Sequence, residues 1–285
     1  MATLTGRRVL VTGATGALGS ATATALRERG ARVAGLDLRP DDGVIACNIR
    51  DARSVDQAVA AARAELDGLD AVVHFAGIGV PTSAGEPADD EVMRTLDVNL
   101  LGPWRVTAAC IDDLVQSRGR CVFVASELAY ATLPFAAAYC AAKRGLAAYA
   151  DSVRVEYGSH VGVTTVYPGF VRTPIHDASV AAGLGLEGFA VRSEQVGDVV
   201  TTVVRALSAA RPPRDTACTP MGRVELAAAR HLPALVDTVI RTRLRRSLAE
   251  GRFITAPLAA GMRTRLGVSG PLEAVPADDV VEVAG

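Results

Sequence analysis

The sequence predicts an α/β fold in which helices cover both faces of a doubly wound parallel sheet, followed by a helical C-terminal extension. Two observations carry this prediction. Short apolar runs alternate with helical stretches of ten or more residues, an order that indicates βαβ units and a parallel sheet. At 285 residues, with 49% of them hydrophobic, the chain is also long enough to bury one large core.

The strands are predicted where short apolar runs stand between turns. The first run, Arg-Arg-Val-Leu-Val-Thr, is followed by a glycine-bearing turn, and the third has a strongly apolar centre. Strands are expected at residues 7–12, 32–37, 70–75, 121–125 and 161–166.

The longer stretches between these runs are predicted to be helical, and one of them is rich in alanine. Helices are expected at residues 17–29, 54–66, 89–115, 136–157 and 193–209. The stretch at 173–194 is rich in glycine and alanine and only weakly periodic, so it is expected to be a mobile loop.

Charge and composition argue against several classes of protein. The chain carries 30 cationic and 31 acidic side chains, and its first 200 residues contain no basic patch with interleaved aromatic residues. A nucleic-acid partner is therefore not expected. No apolar run approaches the length of a membrane span, and the N-terminus lacks a basic segment followed by an apolar one, so a cytoplasmic protein is expected.

No metal site is expected either. The five cysteines are widely scattered, without C-x-x-C spacing or histidine partners, and are interpreted as reduced thiols. The four histidines contain no pair at i, i+4 spacing on one helix.

The chain uses lysine and asparagine very rarely. It has 29 arginines and a single lysine, Lys143, and its only asparagines are Asn48 and Asn99. Arginine replaces lysine readily on a solvated surface, but not where a compact ammonium is needed beside a cofactor and an ionising phenol. We therefore expect specific roles for these three residues.

The glycine-bearing turn Thr-Gly-Ala-Thr-Gly-Ala-Leu-Gly lies between the first strand and the first helix. Glycines there allow the backbone to approach a pyrophosphate, and the N-terminus of the helix attracts the negative charge. The turn therefore predicts a Rossmann-type fold that binds a dinucleotide. The expected contacts are Gly13, Thr15, Gly16, Ala17, Leu18 and Gly19.

An acidic residue ends the second predicted strand. Asp37 lies 24 residues beyond Gly13, where a carboxylate can accept hydrogen bonds from both hydroxyls of the adenosine ribose. A 2′-phosphate would be repelled there, so NAD is expected rather than NADP. The nearby Arg39 weakens this argument, because a guanidinium attracts a phosphate.

The stretch from Ser126 to Lys143 carries the pattern that predicts the chemistry. Tyr139 and Lys143 form a Tyr-x-x-x-Lys pair on a predicted helix, and Ser126 precedes the tyrosine by thirteen residues at the end of a strand. With the glycine turn, this pattern resembles the shorter, single-domain branch of the short-chain dehydrogenase/reductase family over roughly the first 200 residues. The resemblance implies an NAD(P)-dependent oxidoreductase that interconverts a secondary alcohol and a ketone.

The spacing of these residues also makes chemical sense. Residues four apart on a helix share a face, so Lys143 can hold its charge near the phenol of Tyr139. Together with the positive nicotinamide ring, the ammonium favours the phenolate, which lets Tyr139 exchange the hydroxyl proton of the substrate. Ser126 can bind the substrate oxygen. By resemblance, Asn99 anchors a water that connects Lys143 to solvent.

The resemblance implies further cofactor contacts. Tyr-Pro-Gly at 167–169 with Thr173 resembles the loop that contacts the nicotinamide, and the Ala-Gly at 76–77 is the part of an Asn-Asn-Ala-Gly motif that lets the cofactor pass. The cofactor-binding residues implied beyond the glycine turn and Asp37 are Asn48, Ile49, Ala76, Gly77, Asn99, Tyr139, Lys143, Pro168, Gly169, Val171 and Thr173.

Two departures from the family pattern are visible. His74 and Phe75 stand where the family usually has two asparagines that support the central strand and the active-site helix, which leaves open how Asn99 is held. Cys-Asn-Ile at 47–49 occupies the place of an Asp that commonly meets the adenine. Asn48 can offer that base either an acceptor or a donor.

Two other functions stay open. The spacing of Gly13, Gly16 and Gly19, together with His74, also fits a sugar-nucleotide epimerase or dehydratase of the family's extended branch. A protein that senses a dinucleotide without turning it over is the third hypothesis, although such a protein would not need the serine, tyrosine and lysine together.

The C-terminal part of the chain is strongly basic. Residues 205–265 carry twelve arginines against four acids, and the apolar residues around Pro233 recur at helical spacing. This predicts two amphipathic helices joined at the proline. They resemble the tail of family members that act on lipophilic alcohols, so a bulky apolar substrate is expected. Packing against the core or a partner subunit explains the same pattern, and contact with an anionic membrane surface is an alternative.

We therefore expect three parts in the chain: a dinucleotide-binding and catalytic domain at 1–210, a helical extension near the substrate site at 211–265, and an acidic, flexible tail at 266–285. Members of the resembled family commonly pair the helices that correspond to 89–115 and 136–157. A homo-oligomer is therefore expected.

Overall fold

The computed structural model describes residues 3–41, 43–184 and 193–267 of the chain, and over these ranges it confirms the predicted α/β fold. The strands are β1 (Arg8–Thr12), β2 (Arg32–Asp37), β3 (Val44–Ala46), β4 (Ala71–His74), β5 (Arg120–Val124), β6 (Gly162–Tyr167), β7 (Phe170–Val171), β8 (Ser193–Glu194) and β9 (Asp215–Ala217). Seven of them form a parallel sheet in the order β3-β2-β1-β4-β5-β6-β9, and β7 pairs with β8.

The sheet is doubly wound. The chain leaves β1 towards β2 and β3 at one edge, then returns to β4 on the other side of β1 and continues outwards. In sheets of this kind the strand order reverses beside the first strand, and ligands bind in the crevice that opens there at the carboxyl ends of the strands. The glycine turn follows β1 directly, at this reversal.

Helices cover both faces of the sheet, as predicted. They are α1 (Ala17–Arg27), α2 (Ala52–Leu66), α3 (Asp90–Leu96), α4 (Gly102–Gln116), α5 (Ala137–Tyr157), α6 (Asp177–Ala181), α7 (Val196–Ser208), α8 (Pro220–His231), α9 (Pro233–Ala249) and α10 (Pro257–Arg265). Helices α1 and α7 pack on one face, and α2, α4 and α5 pack on the other.

Successive side chains of each strand point to opposite faces of the sheet, so the hydrophobic core has two layers. Val9 and Val11 of β1 point towards α1 and α7, whereas Leu10 between them points towards α2, α4 and α5. All three side chains are fully buried or nearly so. Burial on both faces explains why these strands appear in the sequence as continuous apolar runs.

Two predicted segments differ in detail from the structure. The predicted helix at 89–115 is interrupted by one π-helical turn, Asp97–Leu101, between α3 and α4. The stretch at 173–194 contains a short 3₁₀ helix, Pro174–His176, followed by α6, so its first half is more regular than the predicted loop. Thr173 begins this turn, and the fixed backbone of Pro174 suits its first position. Residues 185–192 lie outside the described part of the chain.

The C-terminal extension contains the two predicted helices. α8 and α9 meet at Leu232 and Pro233, and α10 follows. A separate apolar cluster, which includes Phe135, Leu248 and Phe253, packs the end of α9 and the start of α10 onto the rest of the protein. Most of the predicted acidic tail, from residue 268 onwards, lies outside the described residues. In the described ranges, no helix combines the length and the apolar character needed to span a membrane.

Candidate active site

A cavity of about 380 Å³ opens at the carboxyl ends of β4, β5 and β6. Residues that follow each of these strands line it, and α5 supplies Tyr139 and Lys143 from one side. Of the predicted site residues, those that line the cavity are Leu18, Gly77, Ser126, Tyr139, Lys143, Pro168, Gly169, Val171 and Thr173.

Ser126 stands two residues after β5 and begins a 3₁₀ turn, Glu127–Ala129, which we call the serine turn. Its hydroxyl oxygen accepts a hydrogen bond of 3.1 Å from the backbone N–H of Leu128. The same side chain lies close enough to the phenol of Tyr139 to lower the pKa of Tyr139. The serine turn therefore determines where the Ser126 hydroxyl meets the phenol.

Tyr139 lies in the first turn of α5, with part of its side chain open to the cavity. Burial raises the pKa of Tyr139 to about 12, while the nearby Ser126 side chain acts in the opposite direction. The phenol is therefore protonated at neutral pH in the protein alone. A proton-transfer role requires further positive charge near the ring, which stabilises the phenolate.

Lys143 lies one turn further along α5, as the i, i+4 spacing predicts. Its side chain is buried, and its ammonium donates a hydrogen bond of 3.0 Å to the carbonyl oxygen of Val124 at the end of β5. The ammonium nitrogen is 5.6 Å from the centre of the Tyr139 ring. Burial lowers the pKa of Lys143 to about 8, so the group is still mostly charged at neutral pH.

Asn99 lies in the π-helical turn and is fully buried. Its amide donates to the carbonyl oxygen of Ile78 and accepts from the Ile78 N–H, both at 2.8 Å. A Cβ on Gly77 would come within 3.2 Å of the Asn99 Oδ1 and 3.7 Å of the Lys143 ammonium. Asn99 is therefore held by the backbone after β4, which binds its amide directly.

His74 takes the place of the first missing asparagine. Its ring stacks on Phe123 at 4.8 Å between centres, and its Nε2 lies 3.0 Å from the hydroxyl of Thr107 on α4. Burial, with a contribution from the charge of Lys143, lowers the pKa of His74 to about 3. The imidazole is therefore neutral at the working pH and acts as a packing group between β4, β5 and α4.

The glycine turn is packed too closely for side chains at two of its positions. Gly13 has a positive φ of 67°, and a Cβ there would lie 2.7 Å from the backbone nitrogen of Ala76. A Cβ on Gly19 would lie 2.1 Å from the carbonyl oxygen of Gly13. Gly16 occupies the N-cap position of α1, so the N–H groups at the start of this helix, from Ala17 onwards, have no acceptor within the helix and can bind an anion.

Asp37 lies at the end of β2, beside the glycine turn. One carboxylate oxygen accepts a hydrogen bond of 3.0 Å from the N–H of Thr15, and the other accepts one of 3.3 Å from the N–H of Arg39. The Cys47 N–H donates to the carbonyl oxygen of Asp37, which brings Asn48 to the neighbouring strand end. Asp37 and Asn48 thus lie at adjacent strand ends, away from the cavity.

Asn48 and Ile49 contact mainly the protein itself. The exposed Asn48 side chain accepts a hydrogen bond of 3.2 Å from the N–H of Arg50. Ile49 is half-buried and packs against Gly102, where a Cβ would lie only 2.6 Å from its side chain. Neither residue lines the cavity, so an adenine contact from them stays a prediction.

The loop after β6 is tied to the serine turn. The N–H of Glu127 donates a hydrogen bond of 2.9 Å to the carbonyl oxygen of Pro168, and the N–H of Gly169 donates one of 2.9 Å to the carboxylate of Glu194 on β8. Glu194 also accepts a hydrogen bond of 2.8 Å from the hydroxyl of Thr219, the N-cap of α8. This carboxylate therefore joins the predicted nicotinamide loop to the C-terminal extension.

Sequence reasoning missed the acidic residues of this region. Glu127 lines the cavity beside Ser126, and burial together with the nearby Glu225 and Glu194 raises its pKa to about 8. Only the position of Glu127 directly after Ser126 was a signal in the sequence. Glu194 and Glu225 are 67 and 98 residues further along the chain, and nothing local marks them.

The wall of the cavity opposite the sheet comes from the C-terminal extension. The residues of α8 and α9 that line it are Glu225, Ala228, Ala229, Leu235, Val236, Val239, Ile240 and Arg243. The first half of α9 is mostly exposed on its other sides. Apolar side chains predominate on this wall, with one carboxylate and one guanidinium among them.

Comparison with known proteins identifies relatives. The family model described as short chain dehydrogenase matches residues 7–182. An uncharacterized oxidoreductase of Myxococcus xanthus is 32% identical over 196 residues, 61% of this chain and 76% of the relative. D-threitol dehydrogenase of Mycolicibacterium smegmatis is 32% identical over 189 residues, 60% of this chain and 73% of the relative.

A solved structure has the same fold. The ligand-free aldohexose dehydrogenase of Thermoplasma acidophilum superposes with a TM-score of 0.66 at 21% sequence identity. The match covers 75% of this chain and 94% of that one. At this level of identity the likeness concerns the fold alone.

Proposed function

The chain belongs to the short-chain dehydrogenase family, and on this basis we propose that it is an NAD-dependent oxidoreductase that interconverts a bulky secondary alcohol and its ketone. Its membership in the family makes it an enzyme that uses a nicotinamide dinucleotide. The observation that carries the finer proposal is the convergence of Ser126, Tyr139 and Lys143 on one cavity whose remaining walls are largely apolar.

Each of the three side chains has a role in this proposal. Ser126 binds the oxygen of the substrate and holds it next to the phenol of Tyr139. Tyr139 takes the hydroxyl proton in oxidation and returns it in reduction. The Lys143 ammonium, 5.6 Å from the ring centre, favours the phenolate that this exchange requires. When bound, the nicotinamide accepts or supplies the hydride.

The cofactor is proposed to be NAD because of Asp37. Its carboxylate lies beside the glycine turn, where it can accept hydrogen bonds from the adenosine ribose and repels a 2′-phosphate. The N–H groups of Thr15 and Arg39 already donate to this carboxylate. Removing the carboxylate therefore both abolishes the repulsion and frees two donors for a phosphate.

We expect Asp37→Ala to lower the preference for NAD over NADP, measured as the ratio of the two kcat/KM values, by roughly tenfold or more. The matched control is Asp56→Ala, which removes an exposed carboxylate of α2 and should leave the ratio unchanged. If the wild-type protein uses NADP as efficiently as NAD, the assignment to Asp37 is wrong.

The substrate is proposed to be bulky and largely apolar because α9 places Val236, Val239 and Ile240 against the cavity. A small polar alcohol would leave this surface uncovered. Truncation of the extension is not a clean test, because it would also remove β9 from the edge of the sheet. Point substitutions on the cavity face of α9 are better suited.

We expect Ile240→Ala to raise the KM for decan-2-one by about tenfold, while the KM values for propanone and NADH change little. Steady-state reduction followed by the absorbance of NADH provides the measurement. Thr238→Ala, on the same helix but outside the cavity, is the control and should behave as wild type. Equal KM changes for the large and small ketones would contradict contact between α9 and the substrate.

A substrate panel tests the proposed reaction itself. Purified protein with NAD is offered aliphatic, alicyclic and aromatic secondary alcohols, and D-threitol is included because a relative is named for it. Turnover of the apolar alcohols supports the proposal. Preference for D-threitol would overturn the apolar substrate but retain the oxidoreductase, and no turnover of any alcohol or ketone with either cofactor would overturn the reaction.

The protein is also proposed to form a homo-oligomer, as members of the family often do. Helices α4 and α5 are the elements expected to pair. Trp104 on α4 and Val155 on α5 expose 50% and 86% of their surface, which leaves apolar area on both helices for a contact between copies.

A further inference from the structure

The ring of Tyr130 is held between two guanidinium groups. The guanidinium carbon of Arg144 lies 4.1 Å from the ring centre, and that of Arg230 lies 4.4 Å from it. The negative face of an aromatic ring attracts such cations, and arginine can also stack flat on it. We call this arrangement of Arg144, Tyr130 and Arg230 the arginine stack.

The stack joins parts of the chain that are far apart in sequence. Tyr130 comes directly after the serine turn, and its N–H donates to the carbonyl oxygen of Glu127. Arg144 is the residue after Lys143 on α5, and it also donates a hydrogen bond of 3.1 Å to the carbonyl oxygen of Ala129. Arg230 is in the last turn of α8, in the C-terminal extension.

Arg230 is itself fixed from several sides. It forms an ion pair of 3.2 Å with Asp215 on β9, and its guanidinium lies 4.8 Å from the centre of the Tyr167 ring at the end of β6. Tyr167 in turn forms a hydrogen bond of 3.3 Å with Asp215. The Arg230 side chain therefore connects α8 to two strands of the sheet and also stacks on the ring of Tyr130.

This network affects the proposed chemistry because the serine turn positions Ser126. Ser126 begins the turn, and it lines the same cavity as Tyr139, so the distance between the two hydroxyls depends on where the turn lies relative to α5. Arg144 fixes the turn from the side of α5, and Arg230 fixes it from the side of the C-terminal extension. Displacement of a reacting group by about 1 Å can reduce the rate by up to 10²-fold.

We propose that Arg230 is a positioning residue, which acts through Tyr130 to hold Ser126 against Tyr139 and thereby makes the C-terminal extension part of the catalytic geometry. The inference rests on the proposed function, since it assumes that Ser126 binds the substrate oxygen. In addition to lining the cavity, α8 would then help to position a catalytic side chain. Arg230 itself does not line the cavity and touches no reacting atom.

Two pairs of variants test the role of the stack. Arg230→Met removes the guanidinium, and Arg223→Met, on the exposed side of the same helix, is its control. Tyr130→Leu removes the ring, and Tyr130→Phe is the conservative variant, which keeps the ring and loses only the hydroxyl that accepts a hydrogen bond of 3.3 Å from Arg230. We expect Arg230→Met and Tyr130→Leu to lower kcat for decan-2-one by roughly tenfold with an unchanged KM for NADH. The two controls, Arg223→Met and Tyr130→Phe, should keep a kcat within about twofold of wild type.

A double-mutant cycle with Ser126→Ala separates positioning from general stabilisation. If Arg230 acts through Ser126, the tenfold loss from Arg230→Met should disappear in the Ser126→Ala background, where no hydroxyl remains to be positioned. If Arg230→Met does not fold, the same cycle is run with Tyr130→Leu. The variants are compared at equal concentrations of NADH-binding sites, so that a smaller folded fraction does not count as a lower kcat.

The possible results are distinct. An equal loss of kcat with and without Ser126 would overturn the inference, as would a lower thermal midpoint with kcat unchanged, because both describe a merely structural residue. If the wild-type protein turns over no alcohol or ketone, the proposed function fails instead. If the wild type turns over an alcohol or a ketone, and the loss from Arg230→Met disappears in the Ser126→Ala background, both the proposed function and the positioning role of Arg230 are supported.

Discussion

Tyr139→Phe is expected to lower kcat by roughly 10²- to 10⁴-fold, the usual contribution of a positioned acid or base. The phenylalanine ring fills the same space in the first turn of α5, so the wall of the cavity is conserved. Only the hydroxyl is lost, and with it the transferable proton. The cofactor should therefore still bind with an affinity close to that of wild type.

Single-turnover and steady-state kinetics measure the loss, and titration of the protein with NADH measures binding. Tyr157→Phe is the matched control, since it changes the same chemical group at the other end of α5. It should leave kcat unchanged. A Tyr139→Phe protein that keeps more than a tenth of the wild-type kcat would contradict the assignment of the proton to this residue.

The strands of the sheet were predicted well wherever they are buried on both faces. β1, β2, β4, β5 and β6 begin and end within about one residue of their predicted positions. The edge strands β3 and β9 were missed. Each has three residues: β9 has the sequence Asp-Thr-Ala, which contains no apolar run, and the Val-Ile-Ala run of β3 is too short to distinguish a strand from a loop.

The arrangement of the candidate site was predictable where it depends on local geometry. Tyr139 and Lys143 share a face because they are one helical turn apart, and Ser126 follows a strand that the apolar pattern identifies. The acidic residue Glu194 and the stack of Arg230 on Tyr130 depend on contacts across 25 and 100 residues of chain. No spacing rule in a single sequence predicts such contacts.

The π-helical turn at Asp97–Leu101 shows a different limit. The apolar pattern of residues 89–115 fits one continuous helix, and α3 and α4 do follow each other without a break in the chain. The wider turn between them places Asn99 where its amide binds both backbone groups of Ile78. Such turns insert one extra residue and occur frequently at functional sites. The pattern of apolar residues does not predict such π-helical turns.

Gly19→Ala is expected to destabilise the protein even without a cofactor, and to abolish most of its affinity for NAD. The added methyl group would lie 2.1 Å from the carbonyl oxygen of Gly13, a backbone atom that cannot rotate away. Such overpacking typically costs about 1–3 kcal/mol. In a domain of this size that corresponds to a thermal midpoint lower by roughly 2–4 °C per kcal/mol.

Gly16→Ala is the informative comparison. Its methyl group would lie 3.3 Å from the same oxygen, so the neighbouring atoms need to move by only a few tenths of an ångström. We expect this variant to keep a thermal midpoint near that of wild type, because the close approach at Gly16 involves the bound pyrophosphate rather than the protein. Thermal unfolding without cofactor and calorimetric titration with NAD separate the two effects. Equal midpoints for the two variants would contradict the clash at Gly19, and wild-type NAD affinity in Gly19→Ala would show that this turn does not hold the dinucleotide.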